Sequence, residues 1–139
     1  MKTIYTTTIT NTGGRDGGRS EAADGSFEVA IAPPKVISGK ENQATNPEQL
    51  FAAGYSACFN SAINAALRNT GVKYKTSRVT ATVHLLKDDV TGYKLAVELE
   101  VAIDDFTQAE NQKYAELAHQ ICPYSKAVRG NIEVTLKGA

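Results

Sequence analysis

The chain has 139 residues, with 15 Lys+Arg balanced by 15 Asp+Glu, so its formal net charge is zero. Hydrophobic content of 42% and charged content of 22% are ordinary for a globular protein long enough to bury a core, so residues 1–139 read as one domain. The neutral balance lacks the basic footprint of a nucleic-acid partner or an anionic membrane, and no apolar run is long enough to span a bilayer. The first residues, MKTIYTTTIT, have no apolar core of the signal-peptide kind. With only two cysteines, Cys58 and Cys122, the expected compartment is the cytoplasm, where a structural disulfide is not expected.

In chain order, Lys2 to Thr10 is rich in Thr and Ile and reads as a strand. Asn11 to Ser20 (NTGGRDGGRS) is a glycine-rich loop that frames Arg15 and Arg19. It reads either as a long hairpin turn with two solvated arginines or as a presented pair of cations. After the Asp24-Gly25 turn, Phe27, Val29 and Ile31 alternate in a second strand, which Pro33-Pro34 ends. Lys35 to Ile37 is expected to be a brief third strand. Thr45 to Ala66 (TNPEQLFAAGYSACFNSAINAA) is the central helix. Asn46 is its N-cap, Pro47 its first residue, Gln49 a capping-box partner and Gly71 its C′ glycine. Leu50, Phe51, Gly54, Tyr55, Cys58, Phe59, Ala62, Ile63 and Ala66 recur at helical spacing, and small residues crowd its N-terminal half.

Beyond the helix, Ser77 to Leu86 and Tyr93 to Ile103 alternate apolar and polar residues, as half-buried strands do, across an Asp88–Gly92 turn. Thr107 and Glu110 form a capping box for a helix that runs to about Ile121, with Ala115, Leu117, Ala118 and Ile121 facing inward. Cys122 precedes Pro123, which stops that helix and starts a short one to about Val128. Ile132, Val134 and Leu136 alternate in a last strand. Hairpins flanking single helices predict an α+β fold with mostly antiparallel sheet.

The chemistry candidates are few. Cys58, His84, His119 and Cys122 lack the short paired spacings of a zinc site, so no metal is expected, and both histidines read as packing or surface residues. No phosphate loop and no Gly-x-Ser-x-Gly elbow occurs. A thiol pair and an arginine-bearing loop remain. Cys58 reads either as a small buried hydrophobe or as a reactive thiol, and Cys122, at a helix start, favours reactivity. Cys58 lies twelve residues past Asn46, about 18 Å along the helix, where the field of the helix end has faded. Lowering its pKa by about two units takes roughly 2.7 kcal/mol, more than a helix end supplies. A reactive Cys58 therefore requires a cation, with Arg15 the first candidate and Arg19 the second.

Three stretches then form a pattern: Gly13-Gly14-Arg15-Asp16-Gly17, Thr45 to Phe59 (TNPEQLFAAGYSACF), and Cys122-Pro123-Tyr124-Ser125-Lys126-Ala127 extended by Arg129-Gly130-Asn131-Ile132. Over nearly its whole length the chain resembles the organic hydroperoxide resistance (Ohr) family of the OsmC-like superfamily. It departs from the commoner pattern in having Gly17-Gly18 before Arg19. The resemblance implies an α+β OsmC/Ohr-like fold, with mostly antiparallel sheets wrapped around central helices in an intertwined homodimer. It implies a cysteine-based peroxidase that reduces fatty-acid, alkyl or aryl hydroperoxides to alcohols. In that reading Cys58 is the peroxidatic cysteine, Cys122 the resolving one, and Arg15 and Glu48 the polar network over the thiolate. The resemblance also implies that no cofactor is bound and that the reductant is dihydrolipoamide or a lipoylated protein.

The residues fit these roles. Phe51, Tyr55 and Phe59 near the thiol would line an apolar substrate pocket, or else simply pack the core. Glu48 is ten residues before Cys58, about 15 Å along one helix, so it cannot touch that thiol directly. Either Arg15 bridges the gap or two copies of the helix pack about a twofold axis, giving active sites at the subunit interface. The competing reading is a non-catalytic lipid-binding or redox-sensing module, which has no need of Cys122.

Overall fold

The structure is a computed structural model describing residues 1–139, and its contacts divide into two compact units, Met1–Leu50 and Phe51–Ala139. No helix is long and apolar enough to cross a membrane.

The first unit is a small antiparallel sheet of β1 (Thr10–Thr12), β2 (Arg19–Glu21) and β3 (Glu28–Ala30), in that order. The predicted strand at Lys2–Thr10 is not formed, because the ladder begins only at Thr10. Thr and Ile favour extended backbone, but a strand also needs a neighbour, and β2 ends at Glu21, before the Asp24–Gly25 turn. The expected long hairpin turn is formed by residues 13–18 between β1 and β2, with Gly13, Gly14 and Gly17 all at positive φ. Lys35–Ser38 is a helical turn, α1, rather than a third strand. Pro34 caps it and Gly39 closes it in the left-handed conformation, donating to the Lys35 carbonyl.

Helix α2 (Pro47–Thr70) starts where the sequence places it. The Asn46 Oδ1 accepts the Gln49 N–H at 2.9 Å, while the Gln49 side chain is held by the Thr45 hydroxyl at 2.8 Å instead of closing a full capping box. Gly71, at φ 71°, ends the helix.

In the second unit β4 (Ser77–Asp88) and β5 (Gly92–Ile103) form a twelve-residue antiparallel hairpin. The chain then runs through α3 (Gln108–Ile121) and α4 (Pro123–Val128) to β6 (Glu133–Gly138). β6 pairs with β5 in parallel, not antiparallel, with Val97 opposite Val134 and Leu99 opposite Leu136. The two-helix connection supplies the long crossover that a parallel pair needs.

Val97, Leu99, Val101 and Ile103 of β5 meet Tyr55, Phe59, Ala62, Ile63, Ala66 and Leu67 of α2 in the core. A fully buried large side chain of this kind contributes roughly 1.5–3 kcal/mol, so these contacts set the face that α2 turns inward. The inward stripe of α3 is Asn111, Tyr114, Ala115 and Ala118, whereas the expected Leu117 and Ile121 stay partly exposed at 38% each. Two polar-tipped residues take the inward places because each finds partners. Asn111 accepts from the Ile103 N–H and donates to the Ala139 carbonyl, and Tyr114 shares a hydrogen bond with Thr70.

Candidate active site

The first unit holds an arginine–carboxylate clamp. Arg15 sits on the β1–β2 turn, and its guanidinium donates to both oxygens of Glu48, Nη2 to Oε1 at 2.6 Å and Nη1 to Oε2 at 3.0 Å. This is the two-pronged geometry that arginine makes and lysine cannot. Glu48 stands in the first turn of α2, where the helix end also favours a negative charge. The clamp holds the Glu48 carboxyl below its usual pKa and raises that of Arg15.

The turn that carries Arg15 is shaped by its glycines. Gly18 lies so close to the carbonyls of Gly14 and Thr12 that a Cβ there would stand 2.3 and 2.7 Å from them. The glycine pair that departs from the commoner pattern thus closes the hairpin on itself, with Gly17 at φ 106°. Arg19, the second candidate cation, points to Glu28 and Glu21 of its own sheet.

The second unit holds a dithiol. Cys58, midway along α2, is partly exposed, and Cys122, the residue between α3 and α4, is fully buried. Both are free, and the Cys122 thiol donates towards the Cys58 sulfur at 3.4 Å. A disulfide needs the sulfurs about 2.05 Å apart, so a movement of about 1.4 Å would join them. Burial pushes the Cys58 thiol above its usual pKa. The Tyr124 backbone N–H opposes that rise, and the neighbouring Cys122 adds to it.

Of the three aromatics expected to line a pocket, Tyr55 and Phe59 are fully buried core residues, and only Phe51 keeps partial exposure. An aromatic the sequence analysis passed over stands with them. The Tyr124 ring packs against Phe51 and Tyr55 with centroids 6.5 and 5.8 Å away, and over Gly54, where a Cβ would stand 2.7 Å from its hydroxyl. The helical-spacing pattern of small residues is the signal that could have pointed to it, since Gly54 is where another group approaches α2. Ser125 was also passed over. It is fully buried three residues after Cys122 and takes hydrogen bonds with Tyr55 and His119. His84 lies on the exposed face of β4 beside Glu98.

Comparison with known proteins places this geometry. The family model described as OsmC-like protein matches residues 39–137. An organic hydroperoxide resistance protein-like 2 of Staphylococcus epidermidis is 48% identical over 134 residues, 96% of this chain and 94% of the relative. The organic hydroperoxide resistance protein OhrA of Bacillus subtilis is 46% identical over 98% of this chain and 96% of its own length. Among solved structures, an organic hydroperoxide resistance protein from Elizabethkingia anophelis superposes with a TM-score of 0.89 at 45% identity, covering 100% of this chain and 99% of that one. One from Legionella pneumophila gives 0.90 at 40% identity, with 99% of each chain covered. With near-complete coverage in sequence and in fold, this chain belongs to the organic hydroperoxide resistance proteins of the OsmC-like family.

Proposed function

We propose that the protein confers organic hydroperoxide resistance, as the names of its relatives state for them, by acting as a thiol-dependent peroxidase. The observation that carries this reading is the reduced Cys58–Cys122 pair, with one sulfur reachable and its partner buried 3.4 Å away. In the first step the Cys58 thiolate attacks one peroxide oxygen. The O–O bond breaks, the alkoxide leaves and takes a proton as the alcohol, and Cys58 is left as a sulfenic acid. In the second step the Cys122 sulfur attacks Cys58, the S–O bond breaks, and the hydroxide leaves as water with the Cys122 proton. A dihydrolipoyl dithiol, free or carried on a protein, then reduces the disulfide and is itself oxidised to the cyclic disulfide.

Arg15 is the cation assigned to the thiolate and to the peroxide oxygens, and Glu48 is the group that aims it. Burial, and after it the neighbouring Cys122, raise the Cys58 pKa, so a positive charge is a requirement of this mechanism. Phe51 and the Tyr124 ring packed on it offer apolar surface on the same core cluster as Cys58, which favours alkyl and aryl peroxides over hydrogen peroxide. Tyr55 and Phe59 support that surface from the core. We further infer a cytoplasmic homodimer with active sites at the subunit interface, supported by the close-packing small residues of α2 and by the unpaired N-terminal segment.

The test is steady-state turnover with dihydrolipoamide, comparing cumene or tert-butyl hydroperoxide with hydrogen peroxide. Fast turnover of the organic substrates, lost in Cys58→Ser and reduced to a single turnover in Cys122→Ser, is the expected result. Absence of turnover in protein with titratable free thiols would favour the lipid-binding or redox-sensing alternative.

A further inference from the structure

The separation of the two sulfurs selects among the groups able to bridge them. Cys58 and Cys122 are both free, and their sulfurs stand 3.4 Å apart. A soft atom bonded to both at about 2.3 Å, the length of a zinc–thiolate bond and close to that of an arsenic–thiolate bond, would subtend an angle of about 95° across that gap. A linear, two-coordinate soft ion needs its sulfurs about 4.6 Å apart and a tetrahedral zinc about 3.8 Å, so both would force the pair open. Trivalent arsenic is three-coordinate, and its lone pair compresses the bond angles to about 95–100°. It fits the pair with the sulfurs where they stand.

Zinc also lacks the rest of its shell. It takes four ligands, and no cluster of three His, Cys, Asp or Glu side chains that could hold a metal ion occurs here. His119 is three residues before Cys122, but its Nδ1 is hydrogen-bonded to Ser125. Two sulfurs, by contrast, complete the shell of an arsenic that already carries one carbon substituent. Inorganic arsenite would keep an exchangeable hydroxyl, and the chain has no third cysteine to replace it. Access is from one side. Cys58 is partly exposed and Cys122 is fully buried, so an entering group meets Cys58 first and Cys122 closes the ring without leaving the core.

We propose that the Cys58–Cys122 pair is a chelating site for trivalent arsenicals bearing one organic group, which it closes into a ring through both sulfurs. The arsenical enters as the dihydroxide. Two As–O and two S–H bonds break, two As–S bonds form, two waters leave, and nothing is oxidised or reduced. The product carries no charge, so the burial that opposes a thiolate at Cys58 does not oppose it. Chelation needs only the reduced pair and does not depend on peroxide turnover. Its consequence for a peroxidase is inhibition, since a loaded chain has no thiol left for either step.

The probe is phenylarsine oxide, added to the reduced full-length protein and followed by electrospray mass spectrometry and thiol titration. One phenylarsenic group per chain is expected, with both thiols lost together, in an adduct that resists mercaptoethanol and yields to dithiothreitol. In Cys58→Ser, in Cys122→Ser and in wild type alkylated at Cys58, the apparent affinity is expected to fall about a hundredfold or more, the loss of the second, intramolecular bond. The alkylated wild type guards against a substitution that disturbs folding. A wild-type adduct that mercaptoethanol strips, or one that consumes a single thiol, would overturn the inference. So would zinc chloride that keeps the probe off at equal concentration. Peroxide turnover without chelation would leave the peroxidase reading standing alone, and chelation without turnover would sustain the arsenical site alone.

Discussion

Arg15 shows why a surface ion pair matters here for position and not for stability. Its side chain is 52% exposed, and an exposed pair of this kind is worth about 0–1 kcal/mol. Glu48→Gln keeps the shape and one acceptor but removes the charge and the two-pronged clamp. It is expected to lower unfolding free energy by less than about 1 kcal/mol while cutting kcat/KM for cumene hydroperoxide by about tenfold or more. Urea unfolding and steady-state kinetics on the same preparation check this, and equal losses of stability and activity would count against a positioning role. The pH sign follows from the depressed Glu48 pKa. The stabilisation from the clamp is present above the ordinary Glu value of 4.5 and is lost as pH falls through the lower folded value. At neutral pH the clamp is therefore fully formed.

At the scale of elements, the last strand is held by backbone packing that tolerates no added atom. A Cβ on Gly138 of β6 would stand 2.4 Å from the Gln112 nitrogen and 2.5 Å from the Gln108 carbonyl oxygen of α3. Both are backbone atoms, so no rotamer change relieves the clash. Gly138→Ala is expected to cost about 2–3 kcal/mol, read as a lower urea midpoint with an unchanged m-value. A midpoint equal to wild type would show that the end of β6 is free to move away from α3. The capping box of α3 is the opposite case, fully legible in Thr107 and Glu110 and present as read, with Thr107 Oγ1 accepting at 3.2 Å and Glu110 Oε1 at 2.9 Å.

For the whole molecule, oxidation is the change with the largest reach. Joining Cys58 to Cys122 would close a separation of 64 residues, which in the chain-entropy view stabilises by about 4 kcal/mol before strain is subtracted. The oxidised protein is expected to unfold at a higher urea concentration than the reduced one, and Cys122→Ser should show no such difference. An oxidised form that is the less stable would mean the bond strains α2 against α4. A homodimer adds a dependence of the midpoint on protein concentration, which a monomer would lack.

Local chemistry alone determined the boundaries of α2, α3 and α4, because Asn46, Thr107, Pro123 and Gly71 act within a few residues of themselves. The alternation in β4 and β5 was legible for the same reason, since one buried face imposes a period of two. The long motifs around Cys58 and Cys122 likewise carried the family. What only the tertiary structure decided depends on partners distant in sequence. Lys2–Thr10 has strand-forming residues but no neighbour to pair with, and Lys35–Ser38 is too short for its composition to choose helix or strand before Pro34 and Gly39 close it. β6 is parallel because two helices intervene. Tyr55 and Phe59 are core because β5 packs on α2. The 3.4 Å approach of two sulfurs 64 residues apart, and the hydrogen bonds of Ser125 with Tyr55 and His119, exist only once α2, α3 and α4 have packed.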